Sequence, residues 1–374
     1  MAKLIYIYNS RMPIAHAHGF QVMQMCEAFV NNGCEVEVVA PMRVNPIKED
    51  PFTYYKINKT FTVERLPCLD LIFLNNQNLF FWIQTITFLL ASWFYLRVKK
   101  YDILYTREQM VGLFFRNFVL EIHSLPKNIN SFHKKIWHKA RSLVVLTPFI
   151  KEKLISSGVP SDKILVAPDG VKIEKFDVDF TQTEAREKLN LPKNKKLIGY
   201  VGAFRTLGME KGLDIAIKAM KLISGDGVLV LVGGHSADII HYTKLVEELG
   251  LKNRVIFIGR IDYDLVPVYL KAFDILTAPF PETEHYNFYM SPMKIFEYMA
   301  SKRPIVSTNL PSLRDIIGGG EALLVSPGSV EEQRVGIERV LNDSVFVGQM
   351  VSLAWDKAKE LTWDKRANRI LKFI

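Results

Sequence analysis

The sequence predicts an α/β protein made of two halves, each a parallel sheet whose strands are joined by crossover helices. Three observations carry this expectation. Short apolar runs alternate with amphipathic segments along nearly the whole chain, the pattern that parallel strands and their connecting helices leave in a sequence. The alternation breaks once, at Asp177 to Lys196, where DVDFTQTEAREKLNLPKNKK is polar and short of β-branched residues. A length of 374 residues at 49% hydrophobic content, with 17 prolines, is ample for two full cores and excludes a disordered chain.

In the first half, strands are expected at Leu4 to Asn9, Val36 to Ala40, Ile103 to Thr106, Val119 to His123, Ser142 to Thr147 and Ile164 to Ala167. The first strand follows Met1-Ala2-Lys3 directly, and its apolar run, Leu4 to Tyr8, is too short for the core of a secretion signal. Cys26, Cys34 and Cys68 fit neither a disulfide framework nor a zinc spacing, so a reducing cytoplasm is the expected setting. The break at Asp177 to Lys196 reads as an interdomain linker with one short helix. The second half repeats strands at Leu197 to Val201, Val228 to Val232, Val255 to Ile258, Ile275 to Ala278, Ile305 to Ser307 and Ala322 to Val325. A last helix, Asp364 to Phe373, is marked by Ala367, Ile370, Leu371 and Ile374 at helical spacing.

Two stretches of the first half bear on partners. Leu79 to Leu96, LFFWIQTITFLLASWFYL, is apolar but for Gln84, Thr85, Thr87 and Ser92, and Arg97, Lys99 and Lys100 follow it. Its length is borderline for a membrane span, which needs about 20 apolar residues. A span here would pull a helix out of the first half, so a buried helix and a membrane-facing one stand beside that reading. Lys127 to Lys153 holds seven Lys or Arg and one acid, Glu152, in a chain of net charge +9. That is either a solvated face or an attraction to anionic lipid or a lipid-phosphate acceptor. No zinc-finger spacing or RNA-binding strand motif accompanies the charge, and nucleic acid is not an expected partner.

The stretch Ser291 to Thr308, SPMKIFEYMASKRPIVST, sets a lysine and then a glutamate on the first turns of an apolar helix. The helix gives out at Ser301-Lys302-Arg303, and Pro304 opens a strand. A loop entering a helix N-terminus presents free amides and a positive dipole end, which suit a phosphate. A glutamate one or two turns further in can accept hydrogen bonds from sugar hydroxyls. Upstream, in VGAFRTLGMEKGLDIAIKAM, a strand ends at Gly202 and is followed by Arg205 and Lys211. Both cations lie where a strand hands over to a helix, the edge of an open α/β sheet at which ligands bind. Either alone would read as a solvated loop charge; together they suit a diphosphate. The two segments describe a pocket for a sugar nucleotide.

On these residues, and on RMPIAHAHGFQVMQMCEAFVNNGCEVEVVAP, EIHSLP, VVLTPFIKEKL, VAPDGV, LVLVGG, VIFIGRI and LKAFDILTAPF in that shared order, the chain resembles the GT-B glycosyltransferases of family 4, which are retaining and use nucleotide sugars. The likeness covers nearly the whole length. It implies two Rossmann-like, doubly wound parallel-sheet domains facing a central cleft. Residues 1–178 would form the acceptor-side domain, 179–355 the nucleotide-sugar domain, and 356–374 a C-terminal helix crossing back to the first. It implies a nucleoside-diphosphate sugar as substrate with no further cofactor and a glycan, lipid-linked or small-molecule acceptor. The apolar segment Leu79 to Leu96 beside the basic stretch adds the expectation of peripheral contact with an anionic membrane at its cytoplasmic face.

The resemblance also distributes roles. Arg205 and Lys211, with Gly202, would hold the donor diphosphate and stabilise the charge that develops on it. Glu297 stands at the second glutamate of the family's Glu, seven residues, Glu motif and would bind the ribose. The first glutamate's position is Tyr289, so the partner of the sugar ring stays open among Ser291, the Met293 amide and Lys294, with Glu282 and Glu284 as further candidates. Pro292 has no amide to donate. His123 falls where similar enzymes carry a histidine facing the donor sugar. His18 and Gly19 occupy the N-terminal glycine-loop region, where Gly19 would permit close backbone approach. No metal site is expected, since Asp262-Tyr263-Asp264 reads as a solvated turn rather than an ion-binding element. A sugar-nucleotide epimerase or hydrolase, or a non-catalytic sugar-nucleotide-binding protein, would share the diphosphate cations. A nicotinamide dehydrogenase would need a GxGxxG that the region His16 to Gln21 does not offer.

Overall fold

The computed structural model describes residues 1–71, 77–206 and 208–374. They fall into two compact units, Met1–Pro168 with Trp363–Ile374, and Asp169–Thr362.

The first unit is a seven-stranded sheet: β1 (Ala2–Ile7), β2 (Cys34–Pro41), β3 (Thr62–Leu66), β4 (Ile103–Thr106), β5 (Val119–Ile122), β6 (Ser142–Val145) and β7 (Ile164–Val166). Every pairing is parallel in the order β3-β2-β1-β4-β5-β6-β7, with Leu4 opposite both Val36 and Ile103. The second unit carries β8 (Leu197–Val201), a two-residue-per-strand hairpin β9 (Arg205–Thr206) and β10 (Met209–Glu210), then β11 (Val228–Val232), β12 (Val255–Ile258), β13 (Ile275–Ala278), β14 (Ile305–Thr308) and β15 (Leu323–Val325). Its main sheet is parallel in the order β12-β11-β8-β13-β14-β15. Central strands such as β8 and β11 are buried along their whole length because helices cover both faces, which is why they read as unbroken apolar runs rather than alternating ones.

Each sheet reverses its strand order once, between β1 and β4 in the first and between β8 and β13 in the second. A doubly wound sheet offers a crevice at that reversal, outside the carboxyl ends of the strands.

Helix starts follow local chemistry. Thr147 caps the helix Pro148–Ser156, whose first residue is a proline that needs no partner for an amide. Thr181 and Glu184 form a reciprocal capping box on Gln182–Lys188.

That last helix corrects the expected linker. Arg186, buried, donates to the carbonyls of Ala272, Lys193 and Lys195 and pairs with Asp274 at 2.6 Å. Val171, Phe176, Ala185 and Leu191 lie in the core of the second unit. The division therefore falls at Pro168/Asp169 rather than at 178/179. The polar stretch 177–196 reads as an interdomain linker with one short helix, and that helix is present, but residues such as Arg186 and Gln182 bond specifically to the second unit. At the other end, the helix Ser344–Glu360 belongs to the second unit, and only Trp363–Ile374, not the whole of 356–374, belongs to the first. There Asn31 and Asn32 donate to the Asp364 carboxylate and carbonyl, and Arg141 donates to the Ile374 carbonyl at 2.6 Å.

The apolar segment is the helix Gln77–Arg97. Its 78–97 stretch is long and apolar enough to cross a membrane, yet about a third of it is buried. The inward face holds Gln84, Thr85, Phe88, Leu89, Ser92 and Leu96. Asn9 donates to Thr85 and accepts from Gln84 at 3.0 and 2.9 Å, and Tyr95 and Lys99 both donate to Glu37. Leu79, Phe81, Trp82, Ile86, Leu90 and Phe94 are exposed, between 40% and 64%. Gln84, Thr85 and Ser92 thus face the protein while much of the apolar surface faces out.

Candidate functional site

In the second unit the site grows from the carboxyl end of β8. Gly202 follows that strand at φ +134°, a conformation open to glycine, and a Cβ there would stand 3.0 Å from the Lys294 side chain. Lys294 comes from the helix Met293–Ala300, which Tyr298 fastens to the same strand end. The Tyr298 hydroxyl accepts from the Val201 amide at 2.8 Å and donates to the Val201 carbonyl at 3.2 Å.

Lys294 is buried, and its Nζ has no hydrogen-bond partner among the described residues. Nζ lies 3.4 Å from the centroid of the Tyr200 ring and 5.6 Å from that of Phe280. The ring faces compensate the charge in part. Burial, reinforced by the like charge of Lys211, pushes the Lys294 ammonium well below the usual lysine range, while Glu297 acts the other way. Lys211, after β10, is itself brought down to about 8 by desolvation and makes no ion pair among the described residues. His285 is lowered by burial and then by Lys211. Two cations short of counter-charge thus share a desolvated pocket, the electrostatic signature of an anion site.

The first turn of Met293–Ala300 adds to it. Its N-cap is Pro292 and no side chain caps it, although Ile295 donates to the Pro292 carbonyl. Ser291 Oγ is already engaged as acceptor for the Asp169 amide at 2.8 Å. Glu297 receives the Tyr263 hydroxyl at 3.0 Å, and desolvation pushes its carboxyl up to about 7 against that bond and the pull of Lys294. Tyr263 was not expected: Asp262 and Asp264 are exposed, as in a solvated turn, but the residue between them reaches inward. Tyr200 and Tyr298 were missed as well, since aromatic residues in apolar runs read only as core.

Arg205 is arranged differently. It is exposed on β9, opposite Glu210 in the hairpin, and its guanidinium is shared between Glu210 at 2.8 Å and Asp238 at 3.2 Å. At the family's first glutamate position, Tyr289 ends the helix Glu284–Phe288; Glu284 opens that helix behind its Thr283 cap, and Glu282 accepts from Asn287 at 3.5 Å. Among the described residues no group of three or more His, Cys, Asp or Glu is placed to hold a metal ion.

In the first unit, His123 follows β5 and its Nε2 lies 2.5 Å from Glu121. Glu121 is a buried hub that receives the Tyr105 hydroxyl and both terminal nitrogens of Arg366, at 3.1 and 3.4 Å. Desolvation and Arg107 bring His123 down to about 4, against the opposing pull of Glu121. His18 Nδ1 meets the Tyr8 hydroxyl at 2.6 Å and stacks on His16. Burial, then Arg107 and His16, bring it to about 4. Tyr8, His18 and Arg107 surround the β1/β4 reversal, and Arg107 donates to Gln21 at 3.1 Å. Gly19 serves packing: a Cβ would fall 2.2 Å from the Tyr55 hydroxyl, which bridges the Ile14 amide and carbonyl.

Residues 181–355 match the family Glycosyl transferases group 1, and residues 19–175 match Glycosyltransferase Family 4. An uncharacterised glycosyltransferase of Methanocaldococcus jannaschii is 25% identical over 302 residues, covering 73% of this chain and 74% of that protein. Sucrose-phosphate synthase of Thermosynechococcus elongatus has the same fold at TM-score 0.77 and 21% identity, over 100% of this chain and 98% of that one. HepE of Anabaena, solved with UDP-glucose, superposes at TM-score 0.74 and 17% identity over the full length of both chains.

Proposed function

Because the chain belongs to glycosyltransferase family 4 and has the two-domain GT-B fold, we propose that it transfers a hexose-type sugar, with retention, from a nucleoside-diphosphate sugar to a glycan, lipid-linked or small-molecule acceptor without a metal ion. The observation that carries this reading is the buried, hydrogen-bond-deficient ammonium of Lys294 beside Lys211 and an uncapped helix start. Breaking the bond from sugar to diphosphate leaves negative charge on the departing phosphate, and preorganised cations in a desolvated pocket stabilise it without reorganising. Glu297 would take the ribose hydroxyls, Gly202 would let the diphosphate approach the β8 end, and His123 would act in the sugar step. Thermal-shift screening of nucleotide sugars, beginning with UDP-glucose, and then detection of a glycosylated acceptor would test the reading. Nucleotide release without a new glycoside would identify a hydrolase, and binding without turnover a sensor.

Affinity for UDP is expected to peak between about 7 and about 8. Below about 7 the free protein holds a proton on Glu297 that must leave before the carboxylate can accept from the ribose. Above about 8 Lys211 loses the charge that meets the diphosphate, and Lys294 titrates in the same direction. Calorimetry across pH measures both limbs. Glu297→Gln is expected to weaken UDP binding and move the acid limb downward, toward the phosphate's own titration; an unchanged profile would remove Glu297 from the ribose.

The two donor-side cations are expected to differ. Lys211→Ala should cost roughly 2 to 4 kcal/mol of transition-state stabilisation, as for loss of one preorganised contact. Arg205→Ala should lower turnover less, because two carboxylates already hold its guanidinium. Single-turnover rates rank the two, and equal losses would mean that Arg205 leaves Glu210 and Asp238 when the donor binds.

For the acceptor side we propose peripheral attachment to the cytoplasmic membrane face. The exposed apolar stripe of Gln77–Arg97 ends in Arg97, Lys99 and Lys100, the apolar-plus-basic combination that gives stable, reversible anchoring.

A further inference from the structure

We propose that Glu121 and Arg366 are a positioning pair that holds His123 in one tautomer, Nε2–H toward Glu121 and an open Nδ1 lone pair on the far side, so that the helix Trp363–Phe373 is a working part of the sugar site. This rests on the reading of His123 as a residue of the sugar step.

A neutral imidazole has two tautomers, and the bond made by one nitrogen decides which nitrogen keeps the proton. Glu121 sees the Arg366 fork on both oxygens, at 3.1 and 3.4 Å, and the Tyr105 hydroxyl, with both members of the ion pair almost wholly buried. A carboxylate so surrounded stays ionised and can only accept. Its third partner, His123 Nε2 at 2.5 Å, must therefore donate. Nδ1 is left unprotonated, with the ring 19% exposed, able to accept a hydrogen bond from a sugar hydroxyl. Arg366 is in turn fixed by the carbonyls of Ala167 and Pro168, between 2.9 and 3.2 Å. If the pair served stability alone, a well-packed apolar replacement would do as well; tautomer control needs the charge.

The test uses the full chain labelled with 15N-histidine, without ligand, the His123 signals being assigned by their loss in His123→Ala. The wild type is expected to show a protonated Nε2 and an unprotonated Nδ1; the opposite tautomer would overturn the proposal. The double variant Glu121→Gln/Arg366→Met removes both charges together and leaves neither orphaned. It is expected to mix or reverse the tautomers and to lower turnover by roughly a hundredfold, as misplaced catalytic groups do, with the Kd for UDP unchanged. Arg366→Lys keeps a cation on Glu121 and should retain the wild-type tautomer and most turnover, which covers the case of a double variant that does not fold. Wild-type tautomer and turnover in the double variant would overturn the pairing. A changed tautomer together with full turnover in His123→Ala would instead overturn the role of His123.

Discussion

Lys294→Met is expected to remove nearly all transfer activity and, at the same time, to make the ligand-free protein more stable. The two effects have one origin. In the free protein the lysine nitrogen is buried over the Tyr200 ring with no hydrogen-bond acceptor among the described residues, so folding strips its water and returns cation–π contact and the attraction of Glu297 but no hydrogen bond. Methionine has similar length and needs no partner; relieving an unsatisfied buried polar group is worth about 1–3 kcal/mol. The lost charge matters when the diphosphate departs. Removal of one preorganised donor or cation from such a site costs about 10²–10³ in rate. Thermal unfolding without ligand and turnover with saturating donor measure the two halves. A less stable variant that kept its activity would mean that Lys294 is a packing residue.

Trp82→Ser/Phe94→Ser is expected to lower vesicle binding by one to two orders of magnitude while leaving UDP affinity untouched. Each aromatic side chain taken from water into lipid contributes about 1.5–3 kcal/mol when fully buried, and partial insertion accounts for the lower bound. Trp82, Ile86, Leu90 and Phe94 lie at helical spacing on the exposed face. Trp93, the other tryptophan of the segment, is half-buried with the Arg97 guanidinium 4.6 Å above its ring and makes a poorer probe. Sedimentation with anionic phosphatidylglycerol vesicles should show binding that falls with salt. Salt-independent, carbonate-resistant binding would indicate a span, and no lipid dependence at all would leave a soluble-acceptor enzyme.

Much of the architecture was legible because parallel strands covered on both faces announce themselves as apolar runs: each expected strand, from Leu4 to Asn9 through Ala322 to Val325, has a counterpart. β3 escaped because it lies at the sheet edge, where TVERL buries little beyond Leu66. The β9–β10 hairpin is too short to leave a period. In the site, Lys294 and Glu297 were visible as charges inside an apolar helix, a conflict that a packed core would not carry without use. Their partners were not. Tyr263 opens a single 3-10 turn, Tyr200 and Tyr298 are hidden among apolar neighbours, and Arg366 stands 245 positions from Glu121, a pairing that only the fold can disclose.

The return of Trp363–Ile374 to the first unit has a consequence for how the chain is made. Synthesis delivers residues 1–168 before the rest of their unit, and their sheet lacks the helix Trp363–Phe373 until Asp169–Thr362 has been translated. Until then Glu121 lacks the ion pair with Arg366, and a carboxylate buried without its paired counter-ion opposes closure of the structure around it. The second unit, Asp169–Thr362, is continuous in sequence and can complete its core while the first is still open. The order of emergence from the ribosome and the order of completion are then opposite, and a nascent chain would finish its second unit before its first.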